Sequence, residues 1–342
     1  MPDLSRITLV PNRPGWHAAK LVEECGIVRP PVDQGRIMER LKLKLREFLY
    51  REYPGMTDWD DDNPEEVAFL KPSEQRIYVH KNTFHTRKRM SIFHECGHYY
   101  LPWHRGVDYL CDERRLSPLV KEQLERQAFE FATSVIMPRR MFVDDMLSLP
   151  LGLDAVNQLR RRYEASYLAA AIWYAKVHPG RCLFFCMGPA HERTMDASGK
   201  PRTSEHLKKT RLDGPDIQNS RPTQLGLPLR AVPGLVIIRK KDRPKTGRHL
   251  VVHYSFPSPR FGTFIRKGVE VWEGTRLYGL WLKAQSERGV VTSTIPMTDF
   301  GPSFWDHRYF VKVDCRSYAD HEDNRTILGL LSLPDRQRTW KI

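Results

Sequence analysis

The residues best suited to chemistry in this chain are His94-Glu95-Cys96-Gly97-His98. Histidines four apart on a helix project from one face. Two imidazoles so placed can bind one Zn²⁺, and a glutamate between them can reach a water on that ion. Met90, Ile92 and Phe93 precede the motif and Pro102 follows it. The segment therefore reads as a short buried helix rather than a solvated surface.

Catalytic zinc usually takes three protein ligands and keeps one position open. His104 follows His98 by six residues, the spacing of the H-E-x-x-H-x-x-G-x-x-H proteases. That geometry needs a sharp turn at glycine, and here the position is Leu101, followed by Pro102. Glu125 is the stronger candidate. It lies on an expected helix over 119–137, in line with Ala128 and Ala132, and two alanines let a second helix approach closely. A carboxylate at such a contact needs a partner, which a metal on the neighbouring helix would supply. Asp108, Asp112, Glu113, Glu122 and Glu130 stay open as further candidates.

Three linked motifs then carry a resemblance. His94-Glu95-Cys96-Gly97-His98, the run Glu125, Ala128, Phe131, Ala132, and the stop Ile136-Met137-Pro138 resemble the ImmA/IrrE-type metallopeptidases over roughly residues 35–180. The resemblance implies a thermolysin-like (gluzincin) zinc fold, with His94, His98 and Glu125 as metal ligands and Glu95 as general base. It also implies cleavage of a helix-turn-helix repressor in a stress-response or mobile-element circuit. Two positions depart from the family pattern. Phe129 stands where Asn or Asp is common, so a second-shell bond to a histidine must come from elsewhere. Cys96 replaces an aliphatic residue and reads as a buried thiol, with a redox role beside the metal as the alternative.

The elements that would position these residues follow in order. A short helix is expected over 17–25, and an amphipathic helix from an Asp33 cap to about residue 50, carrying Ile37, Leu41, Leu45 and Phe48 at helical spacing. An acidic turn at 58–63 lacks the glycine and distal glutamate of a calcium loop. Strands at 66–70 and 76–80 lead into the motif helix, and a strand edge beside the metal could hold an extended peptide. Helices over 154–163 and 166–177 form a pair that reads as packing more readily than as a DNA reader. A buried strand is expected at 181–187. Further strands are expected at 235–239, 249–254, 263–266, 269–272 and 308–313.

The resulting architecture is α+β. An N-terminal arm spans 1–34, and a metallopeptidase domain spans 35–187 with a helical extension at 139–180. A linker or long loops at 188–233 lead to a mostly β sensor or binding domain at 234–342. At 342 residues with 40% apolar content the chain can bury a full core. The start lacks a signal-peptide pattern and no run is long enough to span a bilayer, so a cytoplasmic location is expected. The cysteines show no C-x-x-C spacing and read as reduced. Cys182 and Cys186, like His249 and His253, lack a completing ligand pair. The net charge of +14 is concentrated after residue 190, which suits either a nucleic acid or acidic partner or a basic linker that serves solubility.

The function read from these features is a zinc endopeptidase acting on a DNA-binding repressor. Two rivals are a non-proteolytic nucleic-acid-binding regulator with a structural zinc, and a toxin–antitoxin or phage-defence component. Glu95 separates the first reading from the second, because a structural zinc needs no carboxylate between its histidines.

Overall fold

The strand Arg76–His80 (β3) organises the N-terminal half. In the computed structural model, which describes residues 13–52, 67–104, 118–189, 249–301, 310–319 and 325–333, β3 lies between two other strands. Lys44–Phe48 (β1) runs parallel to it and Ala68–Lys71 (β2) antiparallel, giving the order β1-β3-β2. Ile77 and Val79 face the main core with Ile92 and Phe93. Tyr78 faces the other way, into a small aromatic cluster with Phe48 and Tyr50.

The helix expected from Asp33 to residue 50 is half helix and half strand. Asp33 caps Gln34–Leu41 (α2) by accepting from the Arg36 N–H at 3.1 Å. Lys42 then turns left-handed, with φ 57°, and the chain enters β1. Leu45 and Phe48 continue the helical spacing of Ile37 and Leu41 only by coincidence. Pairing with β3 decides the backbone, leaving Leu45 41% exposed.

The helix expected over 17–25 is Pro14–Glu24 (α1), and it joins the core: Ala18, Leu21 and Val22 are buried and the helix packs on Pro118–Ile136 (α4). His85–Tyr100 (α3) carries the histidine motif and lies against β2, β3 and α4. Buried Arg89 ties it to the loop between α1 and α2 by donating to the Val32 carbonyl, and pairs with Glu164 at 3.8 Å.

Three helices follow: Arg139–Leu147 (α5), Leu153–Arg162 (α6) and Tyr167–Val177 (α7). Ser166 caps α7, accepting from the Ala169 N–H at 3.2 Å. Tyr167, Ala170, Ala171, Tyr174 and Ala175 are buried, and α7 packs on the following strands. This helix spends its apolar face on packing.

Cys182–Pro189 (β4) was expected to close the first domain; it is instead a central strand of the C-terminal sheet. His249–Pro257 (β5), Glu270–Trp272 (β6), Val291–Pro296 (β7), Phe310–Ala319 (β8) and Arg325–Ser332 (β9) complete an antiparallel sheet of order β6-β5-β4-β9-β8-β7. The alternation along β4 makes this sheet a shared wall. Cys182, Phe184 and Cys186 face the N-terminal core, whereas Leu183, Phe185 and Met187 face a second core. That second core lies under Arg276–Ser286 (α8), a helix the strand-by-strand reading of this region missed.

No strand forms at 263–266, because the Ser255 hydroxyl occupies that backbone. It donates to the Ile265 carbonyl at 2.7 Å and accepts from the Ile265 N–H at 3.2 Å. The expected strand at 235–239, the acidic turn at 58–63 and nearly all of the expected linker lie outside the described residues. No helix among the described residues is long and apolar enough to cross a membrane.

Candidate metal centre

Close approach of α3 and α4 builds the site. Gly97 makes it sterically feasible: a Cβ there would stand 3.2 Å from the Ala128 Cα and 3.1 Å from the Phe131 ring. Ala128 and Ala132 are fully buried on the facing side of α4. With the helices this close, Glu125, just under one turn before Ala128, reaches the histidines of α3.

The three groups converge. The Nε2 atoms of His94 and His98 are 3.0 Å apart. Glu125 places Oε2 3.1 Å from His94 Nε2 and Oε1 3.4 Å from His98 Nε2. Ligands at about 2.0–2.1 Å from a tetrahedral ion stand about 3.4 Å from one another, so this triangle is close to the size such an ion needs. Among the described residues this is the one cluster of His, Cys, Asp and Glu that could hold a metal ion. Cys182 and Cys186 do not form another, and the His249 side chain lies outside what is described.

The electrostatics suit a cation. Burial lowers the pKa of His94, favouring the neutral imidazole whose lone pair binds metal. Glu125 feels the opposing effect of desolvation, but its contacts with His94 and His98 outweigh this and hold its carboxyl well below the usual range. Both histidine and carboxylate are thus kept in their ligating forms.

Glu95 lies half-buried on α3 between the two histidines and outside the donor triangle. Cys96 is fully buried, and burial pushes its thiol far up, which removes the redox reading. His104 does not enter the donor triangle. Leu101 is extended at ψ 120° and ends α3, and the short turn after it brings His104 behind His98, with their Nδ1 atoms 3.1 Å apart. Asp108, Asp112 and Glu113 lie outside the described residues. Glu122 and Glu130 are exposed on α4 and do not join the cluster.

The surroundings of the two histidines differ. Phe129 sets its ring edge-on to His94, with centroids 4.5 Å apart. His94 Nδ1 is buried and has no hydrogen-bond partner among the described residues. Behind His98, by contrast, His104 Nε2 lies 3.2 Å from Gln127 Oε1, which also accepts from Trp103 Nε1–H at 2.8 Å. Sequence reasoning missed Trp103 and Gln127. Both are unremarkable in pattern, and only the packing of α4 on α3 brings them together.

Two imidazoles and a carboxylate on neighbouring helices, with a further glutamate inside the histidine pair, form a donor set that could hold a metal ion. Residues 48–172 match the family Peptidase_M78, the IrrE N-terminal-like domain. The N-terminal half of the chain is therefore of the ImmA/IrrE type, and the match does not extend into the C-terminal sheet. No curated protein matches the chain. Among solved structures it is similar to a "Mycobacterium tuberculosis transcriptional regulator", at 10% identity and a TM-score of 0.48, over 93% of this chain and 76% of that one.

Proposed function

We propose that this protein is a zinc-dependent endopeptidase of the thermolysin-like (gluzincin) kind, acting in the cytosol on a helix-turn-helix transcriptional repressor. The observation that carries the reading is the His94, His98 and Glu125 triangle, held across two helices with Glu95 inside the histidine motif.

Zn²⁺ held by those three residues would polarise the scissile carbonyl and lower the pKa of a water from about 15.7 toward about 7. Glu95 takes the proton of the attacking water and delivers it to the leaving nitrogen. Among the described residues β2 is an edge strand and packs beside α3, so its outer edge can align an extended substrate by backbone hydrogen bonds. The C-terminal sheet serves as a sensor or substrate receptor, and the basic excess after residue 190 suits a nucleic acid or acidic partner. A stress-response or mobile-element circuit is the setting that fits such a protease.

The test is incubation of the purified full chain with candidate repressors from its own gene neighbourhood, with and without chelator. Cleavage that stops on chelation and returns with Zn²⁺ is expected. Glu95→Gln should keep the metal and lose cleavage. Full cleavage by Glu95→Gln would overturn the assignment of the base.

A further inference from the structure

The inference here rests on the metal-site reading and concerns residues outside the donor triangle. Trp103 Nε1–H can only donate, so the Gln127 atom 2.8 Å from it must be the carbonyl oxygen. That settles the amide's orientation by chemistry. The same oxygen lies 3.2 Å from His104 Nε2, and an oxygen with two lone pairs can accept from both.

His104 therefore carries its proton on Nε2, and a neutral imidazole protonated there has a bare Nδ1. That bare nitrogen faces His98 Nδ1 at 3.1 Å. For a hydrogen bond to exist between them, His98 must supply the proton from Nδ1. His98 Nε2 then carries no proton; it lies 3.0 Å from His94 Nε2, which can donate to it, and 3.4 Å from Glu125 Oε1.

We propose that Trp103, Gln127 and His104 form a positioning relay that sets the tautomer and the ring orientation of His98 for metal binding. Metal-bound histidines usually donate their other ring N–H to a carboxylate, carbonyl or water. In this chain a second imidazole takes that part for His98. His94 has no such partner among the described residues, and Phe129 lies edge-on against its ring. The relay is thus placed on one histidine of the pair. His104, 3% exposed, is a positioning residue and not a ligand in this arrangement.

The experiment reads nitrogen protonation directly, by long-range ¹⁵N–¹H correlation on the metal-free full chain, together with Zn²⁺ affinity by competition with a chromophoric chelator. In the unaltered protein, His98 should show a protonated Nδ1 and a bare Nε2, and His104 the reverse. Gln127→Leu should mix the tautomers of both rings and weaken Zn²⁺ binding about 10–100-fold. Gln127→Glu, which keeps an acceptor facing Trp103 and His104, should preserve the tautomers and hold affinity within a few-fold. A bare Nδ1 on His98 in the unaltered protein would overturn the proposal, as would a Gln127→Leu protein with unchanged tautomers and affinity. The unaltered protein is decisive even where Gln127→Leu does not fold. Failure of the enzyme reading looks different: no repressor is cleaved, yet the nitrogen spectrum and the metal affinity remain measurable.

Discussion

Gly97 faces Ala128 across α3 and α4 with no room for a side chain between them, and this close approach brings Glu125 to the two histidines. A Cβ on Gly97 would stand 3.1 Å from the Phe131 ring and 3.2 Å from the Ala128 Cα, closer than ordinary packing, so α4 would have to give way. Alanine is the better helix former by about 1 kcal/mol. Overpacking a tight contact costs about 1–3 kcal/mol. Gly97→Ala should therefore lower stability despite its helix propensity, and weaken Zn²⁺ binding because Glu125 moves away with α4. Chemical denaturation and chelator competition measure the two effects. A variant more stable than the parent, with unchanged affinity, would show that the contact does not hold the site.

Acid should destabilise the metal-free protein in a defined window. His104 is pushed down to about 4, first by burial and then by the charge on His98, with Gln127 and Glu125 pulling the other way. An unfolded histidine takes its proton at about 6.5. Between those values the unfolded chain binds more protons, so stability falls as pH drops from about 6.5 to about 4. His104 alone accounts for a loss on the order of 3 kcal/mol. His94, lowered by burial, adds in the same direction. Denaturant midpoints at pH 7, 6, 5 and 4 should fall step by step, and a flat profile would contradict the buried neutral state of both rings.

Asp314 joins the two halves of the chain. It is 5% exposed on β8 and accepts from the Leu153 N–H at 3.3 Å, at the start of α6, and from the Thr292 hydroxyl at 2.8 Å. Gly152 lies so close that a Cβ would come within 2.7 Å of the Asp314 carboxylate. Asp314→Ala leaves the buried Leu153 N–H without its acceptor, at a cost of about 1–3 kcal/mol, whereas the exposed Thr292 hydroxyl can turn to water. Hydrogen exchange should show earlier opening at the start of α6, with the helix pair around the metal site less affected. Uniform loss of protection across the chain would mean that Asp314 serves the whole core rather than this one junction.

The metal site was more legible than the fold that surrounds the C-terminal half. Helical spacing put His94 and His98 on one face, and the small side chains Ala128 and Ala132 marked where a second helix comes close, which pointed to Glu125. β3 was legible because a short run of β-branched and aromatic residues leads directly into the motif helix. The α2–β1 junction was not, since Leu45 and Phe48 happen to repeat at helical intervals. Local spacing carries no trace of the partner β3, which decides the backbone there. α8 was missed although Thr275 precedes Leu277, Leu280, Trp281 and Ala284 at helical spacing, with the hydroxyl accepting from the Tyr278 N–H. The His104 contact with Gln127 belongs to another class, because it exists only through the packing of separate helices.

The position of β4 in its sheet has a consequence for synthesis. β4 leaves the ribosome directly after the helices of the N-terminal half, but its neighbour β9 comes from residues 325–332. At ordinary elongation rates that strand is made on the order of ten seconds later. During this interval Phe184 and Cys186 can settle on the finished helices, while Leu183, Phe185 and Met187 still await α8 and β9. The nascent chain thus carries a completed metal cleft beside an apolar strand with open edges. Chaperones, rather than substrates, should be the first proteins to meet it.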